Sequence, residues 1–395
     1  MTLFPKFNGR YIQLIRCCFF IWITGSSIAG IRAERARDWN IHFEGEPGSL
    51  NAITDVSGVK VGHCTLIAGE GPLRIGIGPV RTGVTAILPR GKNYGPVFAA
   101  TDSLNGNGEM TGTTWVDESG FLEEPILLTN THSVGVVYES VIHWRRQFGY
   151  HDAEDPFGWA SLPVVAETWD GRLNDIHGHH VKQEHVFQAL ENAASGLVDE
   201  GNVGGGTGMV CHRFKGGIGT ASRVMDNGYT LGVLVQANYG RREDLTIAGV
   251  RLGDRIKGSE IMMHGLEPFN SGHSIVVIIA TDAPLLPHQL KRVARRSSLG
   301  IGRTGGYGAN SSGDLFLAFS TASIGEPSES GEYRVGMLSN NKLDPFFQAT
   351  IQCVEESVLN AMVAAKTMVG INDNTVYELP KDQVLSILGK HRIIE

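Results

Sequence analysis

The sequence predicts a layered α/β protein, and two patterns support this prediction. Several short segments are apolar throughout instead of alternating, which is typical of strands covered on both faces. Between them, apolar residues recur at helical spacing. Buried strands flanked by helices imply sheets packed against helices. The apolar segments are residues 84–88, 162–166, 231–235, 275–280 and 315–319.

Three segments carry the helical spacing, and each would form one buried stripe. The second is preceded by Pro287, whose fixed backbone angle suits the first turn of a helix. Strands and helices alternate too irregularly for a βα-barrel or a Rossmann fold, and no repeat of fixed period is present. The stripes are Val186, Leu190, Ala193 and Leu197; Leu290, Val293 and Ala294; and Phe347, Ile351, Val354, Val358 and Met362.

The composition is that of a globular protein with excess glycine. The chain has 395 residues, of which 42% are hydrophobic and 19% charged, and its formal net charge is −7. This mildly acidic balance gives no electrostatic reason to bind nucleic acid, so we expect no such partner. Glycine accounts for 51 residues, about 13% of the chain against the usual ~7%. No collagen-like period exists, and the glycines are spread through apolar segments.

The first 33 residues have the pattern of a secretory signal peptide. Residues 1–16 contain three basic residues and no acidic one, and a short apolar run and then small residues follow. The run is too short for a spanning helix, which needs ~20 apolar residues. An uncleaved anchor or a misassigned start is the alternative. We expect residues 1–33 to be removed and the mature protein to be secreted or periplasmic.

Cysteine and histidine give no sign of a metal centre. After the signal, the cysteines are Cys64, Cys211 and Cys353, which are too widely spaced for a disulfide framework or a metal cluster. The histidines in residues 177–180 match no H-E-x-x-H pattern, and a solvated turn is the simpler interpretation. We therefore expect no metal and no organic cofactor.

The densest glycine cluster, residues 201–208, is followed by a second one at residues 215–219. It is not a phosphate-binding loop, because the Lys-Ser/Thr ending is missing. A dinucleotide site would also need an acidic residue about 20 positions later in a βαβ unit, and none is evident. Two interpretations stay open, namely close packing of the backbone and the wall of a binding site.

One serine, Ser274, stands directly before a buried strand. The polar residues 270–274 lead into the apolar residues 275–280. A cut before Ser274 would give it an α-amine with a pKa of about 7.7–8.0, which could take the proton of the serine's own hydroxyl. No G-x-S-x-G motif is present. From the residues alone, an ordinary serine that opens a strand is the alternative.

Seven blocks, spread in order along the chain, carry a family resemblance. They are residues 53–63, 128–135, 163–168, 201–219, 235–240, 280–285 and 310–314. Together they resemble the L-aminopeptidase/D-amino-acid esterase-amidases and β-aminopeptidases. The resemblance implies a four-layer αββα sandwich, similar to ornithine acetyltransferases, in a single domain of residues 34–395.

The resemblance also implies a precursor that cuts itself once, between His273 and Ser274. The α chain (residues 34–273) and the β chain (residues 274–395) would stay together. The segment 252–273, rich in glycine, methionine and charge, would give the cut room. Members of this family assemble into symmetric multimers, so we expect a homo-oligomer of αβ units.

The family's site residues map onto five positions. By position, Ser274 is the nucleophile and Asn238 helps to form the oxyanion hole. Ser312 and Asp314 correspond to the hydroxyl and carboxylate that position the nucleophile and its amine. Glu167 corresponds to an acid in the pocket, and a carboxylate there suits the substrate's ammonium group.

Two positions depart from the family, and two more carry an open role. The family usually has a tyrosine where Trp169 stands, and an indole offers no hydroxyl. Glycine or asparagine often precedes the nucleophile, where this chain has His273. Gly205 and Gly206 would either offer backbone N–H groups to the oxyanion or form a close-packed pocket wall.

These observations predict an aminopeptidase that releases N-terminal residues from short peptides, amides or esters through an acyl-enzyme on Ser274. One alternative is an acyltransferase on the same fold, although such relatives use an N-terminal threonine. The other is a degenerate member that binds peptides, which Trp169 makes conceivable. Acyl transfer to added amines and failure of self-cleavage, respectively, would reveal them.

Overall fold

The structure is a computed structural model that describes residues 32–92, 95–147, 162–258, 273–325, 328 and 330–391. The predicted signal peptide (apart from residues 32 and 33) and residues 259–272 of the predicted linker lie outside this part of the chain. Residues 33–395 form one compact unit. None of the described helices has the length and apolar character needed to cross a membrane.

The described chain forms seven α-helices and sixteen strands. The helices are α1 (Thr113–Ser119), α2 (Val134–Gln147), α3 (Gln183–Glu191), α4 (Pro287–Ala294), α5 (Ser297–Arg303), α6 (Asp344–Ala364) and α7 (Lys381–Lys390). The longer strands are β1 (Lys60–Ala68), β2 (Val80–Lys92), β3 (Val97–Gly106), β5 (Ile126–Asn130), β6 (Val164–Thr168), β9 (Gly217–Val224), β10 (Thr230–Asn238), β13 (His273–Thr281) and β14 (Ser312–Ser320). The two-residue strands are β4 (Phe121–Leu122), β7 (Val210–Cys211), β8 (Phe214–Lys215), β11 (Thr246–Ile247), β12 (Val250–Arg251), β15 (Met368–Val369) and β16 (Thr375–Val376).

Two sheets contain the longer strands. The six-stranded sheet has the order β4-β3-β14-β13-β10-β9, and the four-stranded sheet has the order β1-β2-β5-β6. In the larger sheet β13 is parallel to β14 and antiparallel to β10. In the smaller sheet β5 and β6 are parallel. The central strands β13 and β14 therefore begin at the same edge of the larger sheet, where β10 ends.

The core consists of apolar clusters on both faces of each sheet. Val276 and Ile278 of β13 pack with Leu128 and Val164 of the smaller sheet. The alternating residues of β13 face the other way and pack with α6. The outer face of the smaller sheet packs against α2 and α3. Both faces of β13 are thus covered, which explains its apolar pattern and confirms the predicted layered α/β class.

The structure corrects one predicted helix. The stripe from Val186 was expected to continue through Ala193 and Leu197, but α3 ends at Glu191. The chain leaves the helix because Ala194 pairs with Val61 in an isolated β-bridge. Leu197 is 60% exposed and belongs to no helix. By contrast, α4 begins at Pro287 and α6 spans the long apolar stripe, as predicted.

A buried carboxylate links the two sides of the predicted cut. Glu356 of α6 accepts hydrogen bonds from Arg37 Nε (2.7 Å), Asn51 Nδ2 (2.6 Å) and Arg223 Nη2 (2.7 Å). Burial raises the pKa of Glu356, but the hydrogen bond from Arg37 and the charges of both arginines outweigh this, so the net pKa is lowered. This cluster joins residues that precede Ser274 to a helix that follows it.

Candidate active site

Ser274 lies at the point where three strands of the larger sheet meet. It is the second residue of β13, and it pairs with Asn238 at the end of β10 and with Gly313 near the start of β14. The Gly313 N–H donates a hydrogen bond to Ser274 Oγ over 3.1 Å. Ser274 is 7% exposed. Strand register thus places a nearly buried hydroxyl beside an amide side chain and a backbone N–H.

The Asn238 amide is held in one orientation. Its Oδ1 accepts a hydrogen bond from the Val210 N–H (2.8 Å), and its Nδ2 donates to the Trp169 carbonyl (3.0 Å). A donor on one side and an acceptor on the other fix which end of the amide is nitrogen. Among the described residues only one N–H of Nδ2 is engaged, and a preorganised donor of this kind can stabilise an oxyanion.

Ser312 and Asp314 flank Gly313 on β14 and bond to each other. Ser312 Oγ donates to Asp314 Oδ1 over 2.6 Å, and the hydrogen bonds of the described residues join neither side chain to Ser274 Oγ. Asp314 Oδ2 is buried and has no hydrogen-bond partner among the described residues. Burial raises the pKa of Asp314 to about 6, against the opposing effect of the Ser312 hydrogen bond. The carboxylate therefore keeps a free acceptor oxygen.

Replacing Asp314 by asparagine is expected to stabilise the protein above pH 6 while lowering its activity. A raised folded-state pKa stabilises the fold below the unfolded pKa, and this contribution is lost as the pH rises through about 6. The shift corresponds to a few kcal/mol at most. Melting temperatures of the uncut Ser274→Ala chain, with and without Asp314→Asn, at pH 5 and pH 7.5 measure the effect. Equal differences at both pH values would contradict it.

Glu167 lies on β6 of the facing sheet, near Gly313. Its Oε1 accepts a hydrogen bond from the Glu109 N–H (3.1 Å), and Thr131 Oγ1 donates to Oε2. A Cβ at Gly108 would lie 3.4 Å from Glu167 Oε1 and 3.3 Å from the Gly313 Cα, so only a glycine separates the carboxylate from the Ser274 partner. Burial raises the pKa of Glu167, and the two hydrogen bonds oppose this.

Trp169 contributes its backbone carbonyl to the site, because that oxygen orients the Asn238 amide. Its ring packs against Gly171, where a Cβ would lie 2.8 Å from Cε2 of the indole. An indole has no hydroxyl, so the Trp169 side chain cannot supply the donor expected of a tyrosine at this position. The carbonyl contact does not depend on the side chain.

Gly205 and Gly206 form a short 3₁₀ helix with Gly204 between the two sheets. The Gly205 N–H donates to Thr85 Oγ1 (3.1 Å), and the Gly206 N–H donates to the Val203 carbonyl (2.9 Å). A Cβ on either residue would clash with neighbouring backbone. Close packing therefore accounts for these glycines, and their contact with a substrate stays a prediction.

The other predicted positions are placed as follows. The backbone of His273 pairs with Ser312, and its side chain lies outside the described part. His177 and His179 are exposed at a short helical turn, and His180 Nε2 lies 2.9 Å from Asp175 Oδ2. In the described residues, no group of three or more His, Cys, Asp or Glu side chains is placed to hold a metal ion.

Four groups of the site were missed by the sequence reasoning. Thr131 and Gly313 lie inside blocks that carry the resemblance, so the blocks pointed to them without a role. The Glu109 and Val210 N–H groups had no signal, because a backbone donor leaves no trace in the side-chain pattern.

Comparison with known proteins agrees with this geometry. The model of peptidase family S58 matches residues 51–376. The beta-peptidyl aminopeptidase BapA of Sphingosinicella microcystinivorans is 49% identical over 389 residues, which cover 94% of this chain and 96% of that protein. The BapA of Sphingosinicella xenopeptidilytica is 47% identical over 92% of this chain and 93% of its own.

Solved structures give the same result. The L-aminopeptidase D-Ala-esterase/amidase of Ochrobactrum anthropi is described as a prototype for the serine aminopeptidases and a new variant among the Ntn hydrolase fold. It has a TM-score of 0.83 and 43% identity, covering 91% of this chain and 99% of that one. A Burkholderia sp. beta-aminopeptidase has a TM-score of 0.81 and 46% identity, covering 90% and 99%.

The mixed α/β fold and the site at the strand edge define a hydrolase with an N-terminal nucleophile. The chain belongs to peptidase family S58, a family of aminopeptidases. The predicted resemblance and the predicted enzyme class are both confirmed.

Proposed function

We propose that this protein is an aminopeptidase that activates itself by cleaving the His273–Ser274 bond and then uses Ser274 as its N-terminal nucleophile. The observation that carries the proposal is the position of Ser274, held at the start of β13 between the Asn238 amide and the Gly313 N–H. A cut at this bond would create the nucleophile beside a donor that is already oriented.

The reaction is an acyl transfer in two steps. The free α-amine of Ser274, with an ordinary pKa of about 7.7–8.0, takes the hydroxyl proton as Oγ attacks the substrate carbonyl. The Asn238 N–H stabilises the negative oxygen of the tetrahedral intermediate. The leaving amine takes the proton and departs, and a water then hydrolyses the ester on Ser274. The free oxygen of Asp314 supports the amine through its negative charge, with Ser312 fixing the carboxylate.

Glu167 is the group proposed to bind the substrate's own ammonium. The residue is 5% exposed, and only Gly108 separates its carboxylate from Gly313. An ion pair there would place the amino-terminal residue with its carbonyl near Ser274. The two Sphingosinicella relatives are beta-peptidyl aminopeptidases, which supports β-aminoacyl amides as the first substrates to test, followed by L- and D-α-aminoacyl amides.

The variant Glu167→Gln tests this assignment. It keeps the shape and removes the charge, so KM for a free-amine substrate is expected to rise by about tenfold or more. An N-acetylated substrate has no ammonium, and its slow turnover is expected to stay unchanged. Parallel kinetics on both substrates measure the difference. Wild-type KM for the free-amine substrate in a self-cleaved variant would contradict the role of Glu167.

We extend the proposal to the architecture and its setting. Apolar clusters on both faces of both sheets support a four-layer αββα sandwich. A fold similar to that of ornithine acetyltransferases is part of this proposal. The basic and then apolar pattern of residues 1–33 supports a secretory signal and a secreted or periplasmic location. A homo-oligomer of αβ units, acting on short peptides without a cofactor, completes the proposal.

A further inference from the structure

A strained hairpin lies directly behind the Asn238 amide. The strands β7 and β8 are joined by His212 and Arg213, which have φ values of 48° and 58°. Two-residue hairpin turns of this kind usually carry Asn-Gly, because positive φ is unfavourable for other residues. Non-glycine residues are strained in this region of backbone space. Such strain persists where the surroundings hold it and is common at functional sites.

His212 holds the residues that follow Asn238. It is fully buried, and its N–H donates to the Tyr239 carbonyl over 2.6 Å. Its ring Nδ1 lies 2.9 Å from the Arg241 carbonyl, which can only accept, so Nδ1 carries the hydrogen. The ring also meets the Tyr239 ring edge-on at 5.1 Å between centroids.

A glycine makes this contact possible. Gly240 has a φ of +88°, and any Cβ there would overlap the His212 ring. Burial lowers the pKa of His212 to about 4, so the ring is neutral near pH 7 and donates through one nitrogen. The turn 239–241 is thus fixed by two hydrogen bonds and one ring contact from a single residue.

The same hairpin fixes the Asn238 side chain from the other direction. The Val210 N–H donates to Asn238 Oδ1. Lys215, fully buried at the far end of the hairpin, donates through Nζ to the carbonyls of Met209 (2.7 Å) and Gly216 (3.0 Å). The hairpin is therefore anchored at its base, while its tip holds the backbone after Asn238.

We propose that His212 is a positioning residue that holds the Asn238 amide towards Ser274 by fixing the β7–β8 hairpin against the turn 239–241. This inference rests on the proposed role of Asn238 as an oxyanion donor. A preorganised donor loses its effect when it is displaced, and a shift of about 1 Å can cost on the order of 10²-fold in rate. The strained backbone at His212 is then tolerated because the hairpin holds the Asn238 amide in place.

The test is a double-mutant cycle on the self-cleaved enzyme. His212→Gly suits the positive φ but removes the ring and its donor, and we expect kcat to fall about tenfold or more with KM unchanged. His212→Asn also tolerates this backbone and keeps a donor for the Arg241 carbonyl, so we expect kcat to return towards the wild-type value. Arg213→Gly is the matched control, because it relieves strain at the neighbouring turn residue, and its kcat should not change.

The decisive comparison uses Asn238→Ala. If His212 acts through Asn238, adding His212→Gly to Asn238→Ala lowers kcat no further. Additive losses, or a wild-type kcat in His212→Gly, would overturn the inference. Failure of the proposed function looks different, because the wild type would then release no amine or Asn238→Ala alone would have no effect. Should His212→Gly not fold, a wild-type kcat in His212→Ala, which also lacks the ring and its donor, would equally overturn the inference.

Discussion

The variant Ser274→Ala is expected to remain one uncut chain and to lose at least roughly 10⁴-fold in aminopeptidase activity. Both effects have the same cause, because Ser274 Oγ is the proposed nucleophile for self-cleavage and for turnover. The hydroxyl accepts a hydrogen bond from Gly313, and alanine occupies the same space without it. The fold is therefore expected to survive. Intact mass and the release of amine from aminoacyl amides measure the two losses.

A second buried serine provides the matched control. Ser357 of α6 is fully buried, and its hydroxyl faces the Val233 carbonyl at 3.5 Å. Ser357→Ala is expected to cut itself and to remain active. If the melting temperatures of Ser274→Ala and Ser357→Ala agree within a few degrees, a folding defect does not explain the loss of activity. A fully processed Ser274→Ala protein would refute the assignment of Ser274.

The second large effect is expected at Asn238. Removing one oxyanion donor costs about 10²–10³-fold in kcat in comparable enzymes, so Asn238→Ala should lose activity by that factor. KM should change little, because the donor acts on the intermediate and not on the bound substrate. Steady-state kinetics on aminoacyl amides separate the two constants.

Its control is Asn202→Ala, which removes an asparagine that hydrogen-bonds to Lys366 far along the chain. We expect kcat to stay at the wild-type value in that variant. A kcat for Asn238→Ala within about threefold of the wild type would show that another group stabilises the oxyanion. The Gly313 N–H, already within hydrogen-bond distance of Ser274 Oγ, would be the next group to examine.

The sequence predicted the elements well where burial alone determines them. The segments around 231–235, 275–280 and 315–319 are central strands, because both faces of the larger sheet are covered. The helix from Val186 was too long in the prediction, since a periodic pattern continues into residues that the chain uses for a bridge with β1. Tertiary pairing ended that helix, and no local signal marks such an end.

The site was predictable only in part. The residues around Ser274 left open whether it is a nucleophile or an ordinary serine before a strand. Only the family resemblance predicted the nucleophile. Its pairing with Asn238 and Gly313 depends on strand register across the sheet, which a single sequence does not reveal. Thr131, in a short 3₁₀ helix after β5, and the Val210 N–H of β7 reach the site from places distant in sequence. Neither spacing nor composition could therefore predict their roles.

The structure gives a specific reason for the densest glycine cluster. Residues 201–208 left packing and a site wall equally open in the sequence. In the structure, the Gly205 and Gly206 N–H groups are bonded to Thr85 and Val203, and their Cα atoms lie against neighbouring backbone. Glycine at these positions lets the two sheets approach each other behind the site.

The most direct test of this account is N-terminal sequencing of the purified wild-type protein, combined with its intact mass. We expect two chains that remain together, one of which begins at Ser274. Scaled from 42.7 kDa over 395 residues, the pieces 34–273 and 274–395 are roughly 26 kDa and 13 kDa. A single uncut chain that hydrolyses aminoacyl amides, or an internal cut at a bond other than His273–Ser274, would contradict the account.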